Sequence, residues 1–318
     1  MIEQVVGPHD GGQRLDRWLR KAFAGEALST LFGILRKKKL RINGKVGKGP
    51  EQIEVGDVIQ IYENLSAITP VTPPVTTTFR NTWRKQEVDE RLCVVTSNVD
   101  FVVLDKPSGL ASQPGTNQKP GDSLVELLWV WGDQQGLDFK PALVQRLDQE
   151  TSGLIVAGLT GPAVRSLNAL IRAHGMRKEY LALVAGQMDE PSGTINIALE
   201  RVDSPLGAKM EVGKGKECIT HYQVEKTFGE YSLVRIRLET GRMHQIRTHF
   251  AALGHPLLGD GRYGDFALNR EVKRTLGLRR LFLHSTLLEF TWKGKNVHLV
   301  CKLPNDLQSA VDAAVAQS

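Results

Sequence analysis

The last two thirds of the chain carry short runs of apolar and β-branched residues, a pattern typical of strands. These runs predict strands at Phe101 to Asp105, Leu154 to Ala157, Tyr180 to Val184, Val234 to Leu238, Leu281 to Phe290 and Val297 to Leu303. Helical spacing appears around residues 166–173 and 244–253. Because strands and helices do not alternate regularly, the pattern favours an α+β domain on a mixed, largely antiparallel sheet.

The first sixty or so residues have a different pattern, with two helix faces followed by strands. Two sets of apolar residues have helical spacing, namely Leu15, Trp18, Leu19 and Phe23, and then Leu28, Leu31, Phe32 and Leu35. Ser29 is predicted to cap the second helix. Residues 40–45 predict a strand, an Asn-Gly turn and a strand, and residues 55–61 a turn and a strand. A small α/β unit is therefore predicted at residues 12–63.

A segment rich in proline and threonine follows, from residue 65 to about residue 90. It lacks periodic apolar residues and predicts an extended connector, so the first unit should be tethered to the rest rather than rigidly fused. Leu307, Val311 and Ala314 predict a terminal helix. The predicted division is a small domain at 12–63, a linker at 64–92, a main domain at 93–305 and a helix or tail at 306–318.

The composition is that of an ordinary globular protein. Of the 318 residues, 41% are hydrophobic and 24% charged. The longest apolar runs are too short to span a membrane, and the first residues lack the apolar core of a signal peptide. A cytoplasmic protein without membrane association is expected.

The charge is biased toward basic residues, with a net charge of +6 and a pI near 9.2. The bias is concentrated in one tract of the small domain, which contains no acid: Arg36, Lys37, Lys38, Lys39, Arg41, Lys45 and Lys48. Because clustered cations on a small module are what phosphate binding requires, we interpret the tract as an RNA-contacting surface. The alternative is a solvated charged face.

The sequence offers little for metals or nucleotide cofactors. Cys93, Cys218 and Cys301 are isolated, which argues against disulfides and zinc clusters, and the histidines lack a metal-binding motif. Residues 259–264, GDGRYG, match GxGxxG formally but lack the strand and helix of a dinucleotide site. Asp260 and Tyr263 are expected to fix a loop at a cleft rim. We expect no metal and no cofactor.

The most informative stretch is QRLDQETSGL at residues 145–154. It brings Asp148 to the point where an apolar segment meets a predicted Thr151-Ser152-Gly153 turn, an edge at which a pocket can form. The residues alone leave a structural alternative open, because Asp148 could cap the turn or pair with Arg146.

This stretch resembles the HRLDxxTSGL signature of the RluA family of pseudouridine synthases. Three further segments are similar to family motifs in the same order: DKPSGLASQPG at 105–115, KEYLALVAG at 178–186, and TGRMHQIRTHFAALGHPLLGDGRYG at 240–264. The resemblance spans roughly residues 93–303 and implies the family fold. The basic N-terminal unit resembles the S4 RNA-binding module. Gln145 and Gln113 stand where the family usually has histidine.

The resemblance implies roles for six residues. Asp148 is the catalytic carboxylate, Arg247 its guanidinium partner, and Tyr180 the ring that stacks on the base and helps remove the C5 proton. Ile246 is an apolar floor, Arg146 steadies the extruded nucleotide, and Gln145 contacts substrate. Without the resemblance, Arg247 could be a surface charge, Tyr180 a strand aromatic and Ile246 a core residue.

The implied activity is site-specific isomerisation of uridine to pseudouridine, which needs no cofactor. The N-terminal stretch looks closest to the RluC/RluD-type members, so large-subunit ribosomal RNA is the expected partner of a monomeric enzyme. The alternatives are a transfer RNA substrate and a non-catalytic RNA-binding or ribosome-assembly protein on the same scaffold.

Overall fold

The structure, a computed structural model, describes residues 1–63, 65, 92–115, 121–203 and 208–317. The predicted linker at 64–92 lies almost wholly outside the described residues. In these ranges the chain forms the helices α1 (Leu15–Ala22), α2 (Leu28–Arg36), α3 (Leu124–Gln134), α4 (Gly161–Arg172), α5 (Gln245–Ala252), α6 (Phe266–Thr275) and α7 (Asn305–Ala316). The strands are β1 (Ile2–Val5), β2 (Gln13–Arg14), β3 (Leu40–Ile42), β4 (Lys45–Val46), β5 (Gln52–Ile53), β6 (Val58–Ile61), β7 (Cys93–Ser97), β8 (Phe101–Lys106), β9 (Ala142–Leu143), β10 (Ser152–Gly158), β11 (Met176–Ala185), β12 (Ser192–Asn196), β13 (Leu199–Val202), β14 (Lys209–Val212), β15 (Ile219–Phe228), β16 (Tyr231–Leu238), β17 (Leu283–Trp292) and β18 (Lys295–Val300).

The N-terminal unit is a four-stranded antiparallel sheet, in the order β1-β6-β3-β4, packed on α1 and α2. The two helices bury Trp18, Leu19 and Leu31, all about 1% exposed, against Leu40 and Ile59. β1 precedes the predicted range 12–63 and pairs with β6, so the unit starts further toward the N-terminus than predicted. Ser29 lies inside α2, whose N-cap is Ala27, and the predicted cap is therefore wrong.

The main domain is built on a ten-stranded sheet. Its continuous order is β12-β15-β16-β11-β17-β10-β8-β7, with β18 beside β17 and β9 beside β10. β10 and β17 run parallel and the other pairs are antiparallel, which confirms the mixed, largely antiparallel sheet. Gly153 lies where β10 meets β17, and a Cβ there would collide with the backbone of Ser285. Glycine is thus required at this close approach.

Helices cover both faces of the sheet. Alternate residues of β8 and β10 point to opposite sides, so that Val102 and Ile155 join a core with α3 and α5 while Val103 and Val156 join a core with α4. A third core holds α6 and α7, in which Leu307 and Ala310 are fully buried. The predicted terminal helix is thereby confirmed, and it packs on the main domain.

The N-terminal unit contacts the main domain through α4. The Arg165 guanidinium donates to the carbonyl oxygens of His9, at 3.0 Å, and Gly11. The ring of His9 lies 5.0 Å from that of Phe139, and its Nε2 lies 3.1 Å from a carboxylate oxygen of Asp138. The two units therefore meet at a defined set of contacts, which the expectation of a simple tether did not include.

Candidate active site

One cleft of about 940 Å³ opens where the loops after β8 and β9 meet β11 and the start of α5. All six site residues predicted for the main domain lie in its wall: Gln145, Arg146, Asp148, Tyr180, Ile246 and Arg247. They come from three segments that are distant in sequence. Gln113, the second departure from the family motifs, also lines the cleft.

Asp148 lies in the connection between β9 and β10. The turn that follows it consists of Gln149 and Glu150, because Ser152 and Gly153 already belong to β10. The predicted Thr151-Ser152-Gly153 turn is thus misplaced. The amide of Thr151 donates to the carbonyl of Asp148 at 3.1 Å, and Ser112 Oγ bonds both the amide and the carbonyl of Leu147. These bonds fix the backbone on both sides of Asp148.

Lys106 joins this turn to the loop after β8. Its fully buried ammonium donates to the carbonyl oxygens of Pro107 (2.8 Å), Leu110 (2.7 Å) and Gln149 (3.0 Å). Three acceptors match the three N–H donors of an ammonium group. Burial lowers the pKa of Lys106 to about 7, against the opposing effect of the negative charge of Asp148.

Arg247 is the centre of a cluster of three carboxylates. Its Nη1 lies 3.6 Å from Asp148, while its Nε and Nη2 donate to both oxygens of Asp260, each at 2.7 Å. Nη2 also donates to Glu150 at 3.2 Å. Arg247 therefore faces Asp148 as predicted, but its bidentate partner is Asp260, which the sequence analysis placed at the cleft rim.

The Arg247–Asp260 pair is buried, with Arg247 4% and Asp260 0% exposed. Burial opposes ionisation of Asp260 most strongly, but the hydrogen bonds and charge of Arg247 together outweigh it, and the pKa of Asp260 is lowered. The pKa of Arg247 is raised, because its carboxylates overcome the effect of its burial. Both groups thus remain charged, and the guanidinium is a fixed cation in the cleft wall.

Tyr180 reaches the cleft from β11, and its side chain is 7% exposed. Burial, together with the negative charge of Asp148, raises the pKa of its phenol. The hydroxyl is therefore protonated at neutral pH and can donate a hydrogen bond. The expected help of Tyr180 in removing the C5 proton stays a prediction.

The other predicted substrate residues differ in exposure. Arg146 is exposed at the mouth of the cleft, and Ile246 is 4% exposed in its wall. Gln145 is half-buried, and its Oε1 is enclosed without a hydrogen-bond partner among the described residues. Thr151 Oγ1, also at the cleft, is likewise buried and has no hydrogen-bond partner among the described residues. Two polar atoms at the cleft are thus buried without a hydrogen-bond partner among the described residues.

His244 immediately precedes α5 and was not predicted as a site residue. Its Nδ1 lies 2.8 Å from the Tyr263 hydroxyl, and its Nε2 lies 3.9 Å from Asp148 Oδ2. The Tyr263 ring also lies under the guanidinium of Arg247, 5.2 Å from the Arg247 Cζ. Burial lowers the pKa of His244, with Asp148 opposing and Arg247 adding to the shift.

Gln245 anchors the start of α5. Its Oε1 accepts from Thr240 Oγ1 and the Arg242 amide, and its Nε2 donates to the carbonyl of Ile219 and to Thr220 Oγ1, all at 3.0 Å. Every bond is internal to the protein. Gln245 therefore holds the helix that carries Ile246 and Arg247.

The predicted RNA-binding residues lie on the N-terminal unit. Arg36 ends α2, Lys37 and Lys38 follow it, and Arg41 and Lys45 lie on the β3–β4 hairpin; all five are exposed. Lys39 is half-buried and pairs with Glu63 at 2.5 Å, so it is less available than predicted. Arg36, Lys38 and Lys48 also line a groove of about 630 Å³ on this unit.

No cluster of three or more His, Cys, Asp or Glu side chains that could hold a metal ion occurs among the described residues. Across the same ranges, none of the helices is long and apolar enough to cross a membrane.

Sequence reasoning missed His244, and it expected Asp260 and Tyr263 only in a loop at the cleft rim, without their contacts to Arg247 and His244. A weak signal existed, since Asp260 and Tyr263 stand in a glycine-rich loop shortly after the QIR segment. Nothing in the spacing, however, requires this loop to fold back under α5.

The mixed-sheet domain holds an aspartate and a guanidinium that face each other in one cleft, and comparison with known proteins assigns it to the class of pseudouridine synthases. A sequence profile described as RNA pseudouridylate synthase matches residues 100–252. The chain is 33% identical over 316 residues to ribosomal large subunit pseudouridine synthase C of Salmonella typhi, covering 96% of this chain and 93% of that protein. It is 31% identical over 329 residues to ribosomal large subunit pseudouridine synthase D of Vibrio parahaemolyticus, covering 98% of this chain and 94% of that protein.

Two solved human structures share the fold. RNA Pseudouridylate Synthase Domain Containing 1 gives a TM-score of 0.55 at 26% identity, over 70% of this chain and 88% of that one. RNA Pseudouridylate Synthase Domain Containing 4 gives a TM-score of 0.59 at 22% identity, over 72% of this chain and 94% of that one. The chain belongs to the RluA family of pseudouridine synthases and is an isomerase that converts uridine to pseudouridine.

Proposed function

We propose that this enzyme isomerises one or more uridines of large-subunit ribosomal RNA, acting as a monomer in the cytoplasm. The observation that carries the catalytic part is that Asp148, Tyr180 and Arg247 line one cleft, with Asp148 3.6 Å from the guanidinium. Support for the RNA target comes from the relatives named large subunit synthases C and D, which this chain matches over nearly its whole length.

The reaction breaks the bond between uracil N1 and the sugar C1′ and forms a bond from C5 to C1′. The proton on C5 leaves and N1 gains a proton, so atoms balance without an external donor. Asp148 is the carboxylate that acts on the sugar or the base. Arg247 holds that carboxylate and supplies a fixed positive charge next to the detached ring.

The cleft wall holds the uracil while it turns. Tyr180 offers its ring for stacking and a protonated hydroxyl for a hydrogen bond, and Ile246 offers an apolar surface. Arg146, exposed at the mouth, steadies the extruded nucleotide and offsets part of the few kcal/mol that flipping costs. Gln145, which lines the cleft, contacts the substrate.

The N-terminal unit is proposed to be an S4-like RNA-binding domain. Its exposed cations, among them Arg36, Lys37 and Arg41, would contact phosphates flanking the target. Such contacts are independent of sequence and weaken as salt is raised. The extruded base then supplies the specificity, and an unpaired loop or junction uridine is the expected target.

The target is tested by mapping pseudouridines in a strain that lacks this protein. Loss of one or more large-subunit sites, restored by the wild-type gene but not by an Asp148→Asn variant, is the expected result. Loss confined to transfer RNA would replace the ribosomal target with the transfer RNA alternative. Size-exclusion chromatography with light scattering checks the monomer.

Release of tritium from RNA labelled at uridine C5 tests catalysis in vitro. The Asp148→Asn variant should release none, yet melt at the wild-type temperature and bind RNA normally, because the side chain keeps its size and its turn is fixed by backbone bonds. Equal tritium release from both proteins would remove Asp148 from the mechanism. Absence of release by the wild type on every RNA would favour the non-catalytic alternative.

A further inference from the structure

His244 has a left-handed backbone conformation, which is uncommon for a residue other than glycine. It is the N-cap of α5 and has a φ of 51°, in the left-handed region. Only a few per cent of non-glycine residues adopt such angles, and they concentrate at functional sites. The result of this backbone conformation is that the imidazole lies in the cleft wall, between Tyr263 and Asp148.

The hydrogen bonds around Tyr263 determine which nitrogen of His244 carries the proton. The Tyr263 hydroxyl oxygen accepts from the backbone amide of Met210 at 2.9 Å. Its own hydrogen is then free to be donated to His244 Nδ1, 2.8 Å away. With Nδ1 acting as acceptor, the neutral imidazole carries its hydrogen on Nε2. Nε2 is the ring nitrogen that lies 3.9 Å from Asp148 Oδ2.

Nε2 and Asp148 Oδ2 are 3.9 Å apart, too far to bond each other directly. A donor and an acceptor at this separation suit a single atom between them that accepts from one and donates to the other. Among the atoms of an internal RNA uridine, only the 2′-hydroxyl oxygen can do both. Uracil O2 and O4 only accept and N3–H only donates, while O3′ and O5′ are esterified.

We propose that His244 Nε2–H and the Asp148 carboxylate together bind the 2′-hydroxyl of the target nucleotide, and thereby select ribose over deoxyribose. This inference rests on the proposed function, because it requires RNA in the cleft. It adds a substrate-contacting residue, His244, and a positioning residue, Tyr263, which fixes the imidazole tautomer. The 2′-hydroxyl is the group by which a protein distinguishes RNA from DNA.

The charges that face His244 favour this arrangement. Asp148 and Asp260 attract a proton to the ring, whereas burial and the cations Arg247 and Arg262 oppose it, and the pKa of His244 is lowered. The neutral ring therefore persists at physiological pH. It donates through Nε2 without competing with Arg247 for the charge of Asp148.

The test compares two replacements of His244. His244→Gln keeps an amide N–H at about the reach of Nε2, whereas His244→Asn suits the left-handed backbone but is too short. Each variant is assayed by tritium release from a short RNA that carries the mapped target. A second RNA, with 2′-deoxyuridine at the target, serves as a competitive inhibitor, so its affinity is measured whether or not it reacts.

We expect His244→Asn to lower kcat/KM on the ribose RNA by about tenfold, as for one lost hydrogen bond. Its inhibition constant for the deoxy RNA should stay within about twofold of wild type, because that ligand lacks the contact. His244→Gln should recover most of the loss. Tyr263→Phe should give a kcat/KM on the ribose RNA between those of the two His244 variants. Without the Tyr263 hydroxyl, the proton of the neutral imidazole can reside on either ring nitrogen.

His174→Asn is the matched control, because His174 also has a left-handed backbone, with a φ of 55°, and lines the same cleft. Any effect of that variant should fall equally on both RNAs. The 2′-hydroxyl contact is wrong if His244→Asn weakens binding of the deoxy RNA by the same factor as it lowers kcat/KM on the ribose RNA. It is also wrong if both quantities stay unchanged. A wild type without tritium release on any RNA would instead defeat the proposed function itself.

Discussion

The orientation of Arg247 is determined by Asp260 more than by Asp148. Two nitrogens of the guanidinium are engaged by Asp260 at 2.7 Å, and this leaves Nη1 directed at Asp148, 3.6 Å away. A planar guanidinium held along one edge cannot rotate, so its free edge keeps a fixed direction. Asp260 is therefore a positioning residue for the cation that faces the catalytic carboxylate.

Replacing Asp260 with asparagine should destabilise the fold and lower activity together. An amide cannot accept both N–H bonds or balance the charge of a guanidinium that is 4% exposed. Breaking one partner of a buried pair costs about 3–5 kcal/mol. Urea unfolding measures this loss, and kcat on RNA should fall because Nη1 is no longer directed. A variant with wild-type stability would show that the pair contributes little.

The same pair predicts a pH dependence. Because the pKa of Asp260 is lowered in the folded protein, its stabilising contribution is complete above the unfolded pKa near 3.9 and is lost as the pH falls through the folded value. The stability difference between wild type and Asp260→Asn should therefore be constant from about pH 5 to 7 and shrink below about pH 4. A difference that grows on acidification would contradict the assignment.

At the scale of elements, two loops form a single platform for Asp148. The loop after β8 and the turn before β10 are joined by Lys106 and by the Ser108 hydroxyl, which donates to the Glu150 carbonyl at 2.7 Å. The Gly109 amide donates to the Gln149 carbonyl at 2.8 Å, and the Gln149 side-chain amide donates to the Gly109 carbonyl at 2.9 Å, which reinforces the junction. The loop with the DKPSG sequence therefore supports the catalytic turn without itself providing the reacting group.

Lys106→Met should weaken this platform while preserving the side-chain volume. The carbonyls of Pro107 and Leu110 would lose their donor inside the protein, at a cost of about 2 kcal/mol or more in unfolding free energy. Because the Asp148 turn would also shift, kcat should fall more than KM changes. Ser108→Ala, which removes one bond of the same junction, is the milder control. Equal kinetics for Lys106→Met and wild type would exclude the platform role.

The pattern of apolar residues predicted β8, β10, β11, β16, β17 and β18, half of the strands described in the main domain, and it missed the others together with some helices. The run LVELLWVW of α3 is apolar on nearly all sides, so its sequence does not show the one-sided apolar pattern by which a surface helix is recognised. In the structure, residues such as Leu124 and Leu128 are fully buried. Ser123 and Glu126 have the spacing of a capping box, but the Ser123 hydroxyl donates to the Glu126 carboxylate at 2.5 Å and makes no bond to the helix backbone. β13 and β14 have four residues each, too few for a periodic signal, and they depend on pairing with each other.

The candidate site could be predicted only in part, and mainly through the family motifs. Asp148, Tyr180 and Arg247 are far apart in sequence, and no periodicity brings them together. Asp260 escaped prediction because its role depends on the loop after α5 folding back beneath that helix. The tautomer of His244 likewise depends on Tyr263, nineteen positions away, and on a bond from Met210.

At the scale of the whole molecule, α4 connects the N-terminal unit to the cleft. Its first turns carry Gly161 and Arg165, which contact His9 and Gly11, and its last turn carries Ile171 and Arg172, which line the cleft. The helix has twelve residues, equivalent to about 18 Å at 1.5 Å per residue. The basic unit is therefore held at a fixed distance from the site of chemistry, which would help to align a structured RNA.

Gly161→Ala tests this arrangement, because a Cβ at Gly161 would collide with the carbonyl of His9. Alanine favours the helix itself, so the main domain should keep its stability while the N-terminal unit separates from α4. We expect a larger radius of gyration by small-angle X-ray scattering and weaker binding of long ribosomal RNA fragments, with unchanged kcat at saturating RNA. Gly33→Ala, in α2 with open space around it, is the control and should change none of these. An unaltered radius of gyration in Gly161→Ala would mean that the contact does not hold the two units together in solution.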